Sequence, residues 1–515
     1  MQRAFTPRLW LLAVGVFSLL LGCNRPKSDT SRESAAVAND ETGKDATNAS
    51  ATRGKIPVTT KSEEARKLYD QALAVFDQLR FHDARQMFQQ AAAKDPEFAM
   101  AHYQLALSSP SNKESLEHTK QAVALSGRAS EGERLAILSL QAAQNADPAK
   151  SLAYAKEAVQ KYPDDERARF NLSFGLSGQQ DYEEAVNELN KAIELNPDFS
   201  PAYNALGYAY RPLNKNDEAE KAFKKYIELV PNDPNPYDSY AELLMKTGRF
   251  DESIAQYRKA LSIDPNFTGS RFGIASNLMF QGKHAQAIAE ADKLASAARN
   301  DGDRRFALFI KSVVYADQGK TDLALREMEK QYALDSKIGD PAQMAADADA
   351  IGIILVETGK PDQALKRFQQ SLDLQVKSNL SAEAKEDAKL AHHYHLGRVA
   401  LAKNDLAAAK AHAEEYLKGA ETKHNDFRIR QAHELAGMTA LREKDYDKTA
   451  SELGKANQQD PYVVYGLALA HQGNGDQDKA RELFKQAAEF NTLPTLNYAL
   501  IRAKAKQQGA AQPTS

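Results

Sequence analysis

The stretch Tyr203-Asn204-Ala205-Leu206-Gly207-Tyr208-Ala209-Tyr210, followed by Asp217-Glu218-Ala219, decides the fold of this 515-residue chain. Tyr203, Leu206 and Tyr210 stand at i, i+3 and i+7, the spacing that puts one apolar stripe on a helix. Gly207 leaves a gap beside that stripe where another helix can come close. The segment recurs on both sides. Glu166–Phe199, Ser200–Asp233 and Pro234–Phe267 are each 34 residues long, and each closes on a proline, in Asn196-Pro197, Val230-Pro231 and Asp264-Pro265.

Small residues recur where two helices must touch: Ser173, Gly207 and Ala241 in a first helix, Ala185, Ala219 and Ile254 in a second. Large ones recur at fixed offsets, as in Leu189, Phe223 and Tyr257. The pattern predicts a helix, a tight turn and an antiparallel second helix. Glycine serves the turn, as in Lys246-Thr247-Gly248 and Gln281-Gly282-Lys283, and proline stops the second helix. One such hairpin cannot cover its own stripe, so neighbours must stack and share a continuous core.

These residues resemble the tetratricopeptide repeat (TPR) family, most clearly at 203–210, 217–219 and from Phe250-Asp251-Glu252-Ser253-Ile254 to Asp264-Pro265. Repeats are expected to start at 65, 99, 132, 166, 200, 234, 268, 305, 345, 390, 430 and 461. The resemblance implies an all-α solenoid of about eleven to twelve helical hairpins wound into a right-handed superhelix. The period is regular over 62–300 and lengthens over 301–505, through longer helices or through loops at 297–304, 337–346 and 379–388. Residues 506–515 are expected to be a disordered tail.

Composition narrows the function. Hydrophobic residues make up 42% of the chain and charged residues 27%, enough to bury a core. A net charge of −3 leaves no basic excess for phosphates, which argues against nucleic acid. The single cysteine, Cys23, removes intramolecular disulfides and thiolate zinc sites.

Cys23 follows Arg3, Arg8 and the apolar run Leu9–Leu21, and closes the stretch Leu20-Leu21-Gly22-Cys23. The run is too short to span a bilayer comfortably and suits a signal peptide. Its end resembles a bacterial lipobox, although Leu21 stands where that family more often has Ala, Ser or Thr. The resemblance implies that residues 1–22 are removed and Cys23 is lipidated. Asn24 rather than Asp after the cysteine leans towards the outer membrane, facing the periplasm. Residues 23–61 are then a lipidated cysteine and a disordered linker, whose large apolar residues are only Val37, Ile56 and Val58.

Reactive chemistry finds little support. His392, His393, His395 and His412 are helix positions rather than a converging ligand set, so no metal is expected. Gly319-Lys320-Thr321 lacks the upstream glycine of a phosphate loop and reads as a hairpin turn. Pairs such as Glu183-Glu184 and Glu414-Glu415 read as solvated helix surface. No cofactor and no catalytic activity are expected.

In TPR proteins, first-helix positions two, five, nine and twelve commonly face the inner groove. Carried onto this sequence they include Arg167, Phe170, Phe174 and Ser177; Asn204, Tyr208 and Arg211; Asp238, Glu242 and Met245; and Phe272, Ser276 and Met279. Aromatics there would anchor an extended peptide, and Asn204 and Arg211 would bond its backbone or a carboxylate. The expected function is a membrane-anchored scaffold that binds a protein or peptide partner. The alternative is a sensory or regulatory arm that responds to a small ligand or a partner domain.

Overall fold

A computed structural model describes residues 54–510 apart from Leu79, Pro110 and Ser111. Cys23, the signal-like run before it and residues 511–515 lie outside the described residues. The described residues form helices and connecting turns, with no strand among them.

Twelve antiparallel hairpins follow one another. They are α1 (Glu63–Asp77) with α2 (Phe81–Lys94), α3 (Ala99–Leu107) with α4 (Asn112–Leu125), and α5 (Glu131–Gln144) with α6 (Pro148–Lys161). Then come α7 (Glu166–Gln179) with α8 (Tyr182–Leu195), α9 (Ser200–Tyr210) with α10 (Asn216–Leu229), and α11 (Pro234–Lys246) with α12 (Phe250–Ile263). The seventh to ninth are α13 (Thr268–Phe280) with α14 (His284–Ser296), α15 (Asp301–Asp317) with α16 (Thr321–Ile338), and α17 (Pro341–Glu357) with α18 (Pro361–Lys377). The last three are α19 (Ala382–Ala402) with α20 (Leu406–Thr422), α21 (Asp426–Glu443) with α22 (Tyr446–Lys455), and α23 (Pro461–Gly473) with α24 (Gln477–Ala488). A single helix, α25 (Leu496–Ala510), ends the fold and runs five residues into the stretch expected as a tail.

The hairpin is built on the contact the sequence suggested. A methyl group on Gly207 would lie 2.5 Å from the Phe223 ring, so only glycine lets α9 and α10 approach this closely. Gly273 faces Tyr257 and Gly352 faces Phe368 in the same way. Leu189, Phe223 and Tyr257 are all fully buried. The small residue of α12 is Ser253, not Ile254: it is fully buried and its hydroxyl donates to the Ala241 carbonyl at 2.7 Å. Gly248 and Gly282 take the turns at φ +77° and +76°, where a side chain is costly.

The longer period beyond residue 300 is absorbed by helices. α15 to α18 have 17 or 18 residues and α19 has 21, against 13 to 15 in most earlier ones. The loop expected at 379–388 is therefore mostly the first turns of α19. First helices of neighbouring hairpins touch one another, as α11 touches α13 and α19 touches α21. Second helices make no comparable contact among the described residues, so first helices form the inner layer of a solenoid.

Candidate functional site

Steps of 34 residues place the inner-helix positions in columns: Phe170, Asn204, Asp238 and Phe272 in one, Phe174, Tyr208, Glu242 and Ser276 in the next. On α7, Phe170 and Phe174 meet edge to face at 4.8 Å, and Phe170 meets Phe199 at 5.3 Å. Both α7 rings are half-buried. The Arg167 guanidinium lies 5.0 Å over Phe199 and pairs with Asp77 of the first hairpin.

The polar groove residues of α9 and α11 are brought together, mostly beneath the surface. Arg211 bonds Glu242 at 3.0 Å and sits 5.1 Å over the Tyr208 ring. Tyr208 packs edge-on against Phe223 and its hydroxyl lies 3.4 Å from Ser239. Lys246 donates to the Arg211 carbonyl at 2.8 Å; burial, then the Arg211 charge, pull its amine down to about 7. Asp238 accepts from Ser270 at 2.6 Å; burial, then the Glu242 charge, push its carboxyl up to about 8. Asn204 is fully buried, and its amide nitrogen and oxygen have no hydrogen-bond partner among the described residues.

Phe272 stands apart from this group. It is 5% exposed and packs between Phe306 and Phe309 at 5.5 and 5.8 Å, as part of the core that joins hairpins 7 and 8. Adjacent first helices lie so close that its ring is spent on the next repeat, leaving little of it for a guest. Arg211 and Glu242 are spent on each other in the same manner, and Asp238 on Ser270 of the next hairpin.

The histidines do not face solvent as a helix surface would. His393 and His412 meet through their Nδ1 atoms at 3.2 Å, joining α19 to α20. His395 stacks on Phe368 at 4.3 Å; burial, then the charge of Arg398, pull its imidazole down to about 3. Among the described residues no three His, Cys, Asp or Glu side chains converge as metal ligands would.

Two features of the inner and edge surfaces escaped the sequence reading. Residues 54–61, expected to be part of the free linker, lie extended along the edge of hairpins 1 to 4. Ile56 N–H donates to Asp165, Thr59 N–H to Glu133 and Lys61 N–H to Asp95, at 2.9, 2.8 and 3.0 Å. Ile56 sits over Gly132 and Tyr162 and Val58 packs against the core of the first hairpins, so these two apolar residues supply the segment's anchors, while Val37 lies outside the described residues. The second feature is α25. It leaves the last hairpin and lies against α15, α17 and α23, all of the inner layer. The trough is therefore filled by the chain itself over these hairpins.

Tetratricopeptide repeat profiles match residues 63–109, 200–233, 234–267, 350–424 and 461–486, and a TPR repeat profile matches 178–211. The chain is a tetratricopeptide repeat protein. Solved structures to which this TPR protein is similar include one from Parabacteroides merdae ATCC 43184, described as a tetratricopeptide repeat protein. It is 16% identical, with a TM-score of 0.34, over 53% of this chain and 94% of that one. A thermophilic TPR protein from Thermus thermophilus is 23% identical over 42% and 98%, with a TM-score of 0.27. MamA from Desulfovibrio magneticus RS-1 is 18% identical over 32% and 92%, with a TM-score of 0.28. No curated protein matches the sequence. TPR arrays are interaction scaffolds, presenting stacked hairpins to a protein partner.

Proposed function

We propose that this TPR protein holds a protein or peptide partner along the inner curve of hairpins 4 to 6, and that lipid on Cys23 ties it to the outer membrane of a bacterial envelope, facing the periplasm. It acts by binding and carries out no covalent step. The observation that carries the binding reading is the half-buried edge-to-face pair Phe170–Phe174, beside the Arg167–Phe199 contact. Aromatic rings already held by their neighbours lose little entropy on gripping a guest. The anchor rests on the lipobox-like Leu20-Leu21-Gly22-Cys23.

A photo-crosslinking residue at Phe170 or Phe174 in intact cells should trap a partner, and one at the outer-face Lys259 should not. Equal capture from both faces ends the groove reading. Cys23→Ser should move the protein from the membrane to the soluble periplasmic fraction. Retention on membranes after a high-salt wash ends the anchor reading.

A further inference from the structure

α25 does more than cover the last hairpin. A simple end cap would touch α23 and α24 alone, but α25 reaches back across five hairpins. The Arg502 guanidinium bonds Asp317 at 2.5 Å, the Phe280 carbonyl at 3.3 Å and the Ala488 carbonyl at 3.0 Å. It also lies 4.7 Å over the Phe280 ring. Two residues on, Lys504 pairs with Glu357. On a helix those two positions point about 200° apart, so α25 is gripped from opposite sides, by α15 and by α17. Its Leu496, Tyr498, Ala499 and Leu500 join the apolar core of the inner layer.

The wall beneath keeps a partner for each of these acids without it. Asp317 also bonds His284 at 2.8 Å, and Glu357 also pairs with Arg398 at 3.0 Å. Each buried acid thus has one hydrogen-bonding partner in the wall and one on α25, so withdrawal of the helix leaves neither carboxylate without a partner, which softens the usual penalty for breaking a buried pair. Seven residues, 489–495, connect α24 to α25, and Thr495 caps the helix by accepting from Tyr498 N–H at 3.1 Å.

We propose that the inner wall at hairpins 7 to 9 is a receptor for a cationic amphipathic helix of a partner protein, and that α25 occupies it in cis until such a helix displaces it. This rests on the scaffold reading and names the class of partner: an apolar turn followed by two cations spaced i, i+2. The tether gives α25 the advantage of a high effective concentration, so a guest binds once that hold is loosened.

The test uses the full chain carrying Arg502→Glu and Lys504→Glu, which repels α25 from Asp317 and Glu357 and leaves the wall intact. A fluorescent peptide of residues 489–510 with the native sequence should bind this variant at least roughly tenfold more tightly than it binds the unaltered chain. The same peptide with both cations reversed should not bind. In the unaltered chain, α25 amides should exchange with solvent as a unit ahead of α15 and α17. A variant that keeps its helical content and ignores the peptide overturns the proposal. So does a variant that doubles in mass, since the wall then receives a second copy, or an α25 that exchanges only together with α15 and α17. None of these outcomes bears on capture at Phe170, where the scaffold reading is tested.

Discussion

Arg502 and Asp317 lie 185 residues apart in sequence and share a hydrogen bond of 2.5 Å, with side chains 4% and 1% exposed. Burial works against the Asp317 charge, but bonds from His284 and Arg502 hold its carboxyl below the ordinary range. A solenoid whose hairpins touch only neighbours frays from its ends. This contact closes a long loop over hairpins 8 to 12 and couples units that would otherwise melt one by one. Arg502→Glu should therefore broaden the urea transition and lower its slope. An unchanged slope would show that α25 couples nothing.

Asp238 keeps its proton in the folded chain up to about pH 8, whereas an unfolded chain releases it near pH ~4. Between those values the folded state binds more protons, so this group makes stability fall as pH rises from ~4 to ~8. Asp238→Asn stays neutral throughout and still accepts from Ser270. Its free energy of unfolding should exceed that of the native chain by about 1–3 kcal/mol at pH 8 and match it near pH 4. Urea melts at both pH values check this.

His395 behaves in the opposite sense. Its imidazole titrates near 3 when folded and near ~6.5 when unfolded. Its contribution is complete above pH ~6.5 and is lost as pH falls towards ~3, because the unfolded chain then binds the extra proton. Asp349, 3.6 Å away, is pushed up to about 7 by burial, so over most of that window it is neutral and offers no counter-charge. His395→Phe preserves the stack on Phe368 and should flatten the acid limb of a thermal-melt profile. A profile parallel to that of the native chain would place the acid sensitivity elsewhere.

Gly207→Ala forces a methyl group into the Phe223 ring and should cost about 1–3 kcal/mol. Phe223→Leu in the same chain should recover part of that loss, because the contact and not helix propensity is responsible. A double-mutant cycle read by thermal melting gives the coupling. A coupling near zero would mean that the helices part rather than clash.

Ile56→Asp removes the apolar anchor of the edge-lying segment over Gly132 and Tyr162. Limited proteolysis should then cut within residues 54–61 well before the hairpins, and circular dichroism should keep its helical signal. Protection equal to that of the native chain would show that the carboxylate ladder alone holds the segment.

Much of the hairpin array was legible because the period is written in large and small residues that must touch, such as Phe223 and Gly207. Its twelve starts fall within a few residues of the observed ones, except where α19 begins eight residues earlier than expected. Helix-to-loop assignment failed there because 382–388 carries polar residues that suit either state. The inner face was harder to read. Position alone marks Phe272 and Phe170 alike, but whether a ring is spent on the next repeat depends on how closely two first helices approach. The α25 contact was invisible, since nothing local couples Arg502 to Asp317. Ile56 stands out by its apolar side chain, but its partners come from the third and fourth hairpins.

The edge-lying segment runs backwards, from Asp164 and Asp165 at the fourth hairpin to Asp95 and the start of the first. Whatever pulls on the N-terminus therefore loads the array at its fourth hairpin. The force meets the bonds at Asp165, Glu133 and Asp95 before it reaches α1. The first hairpin is spared the peeling that a pull applied directly to it would cause.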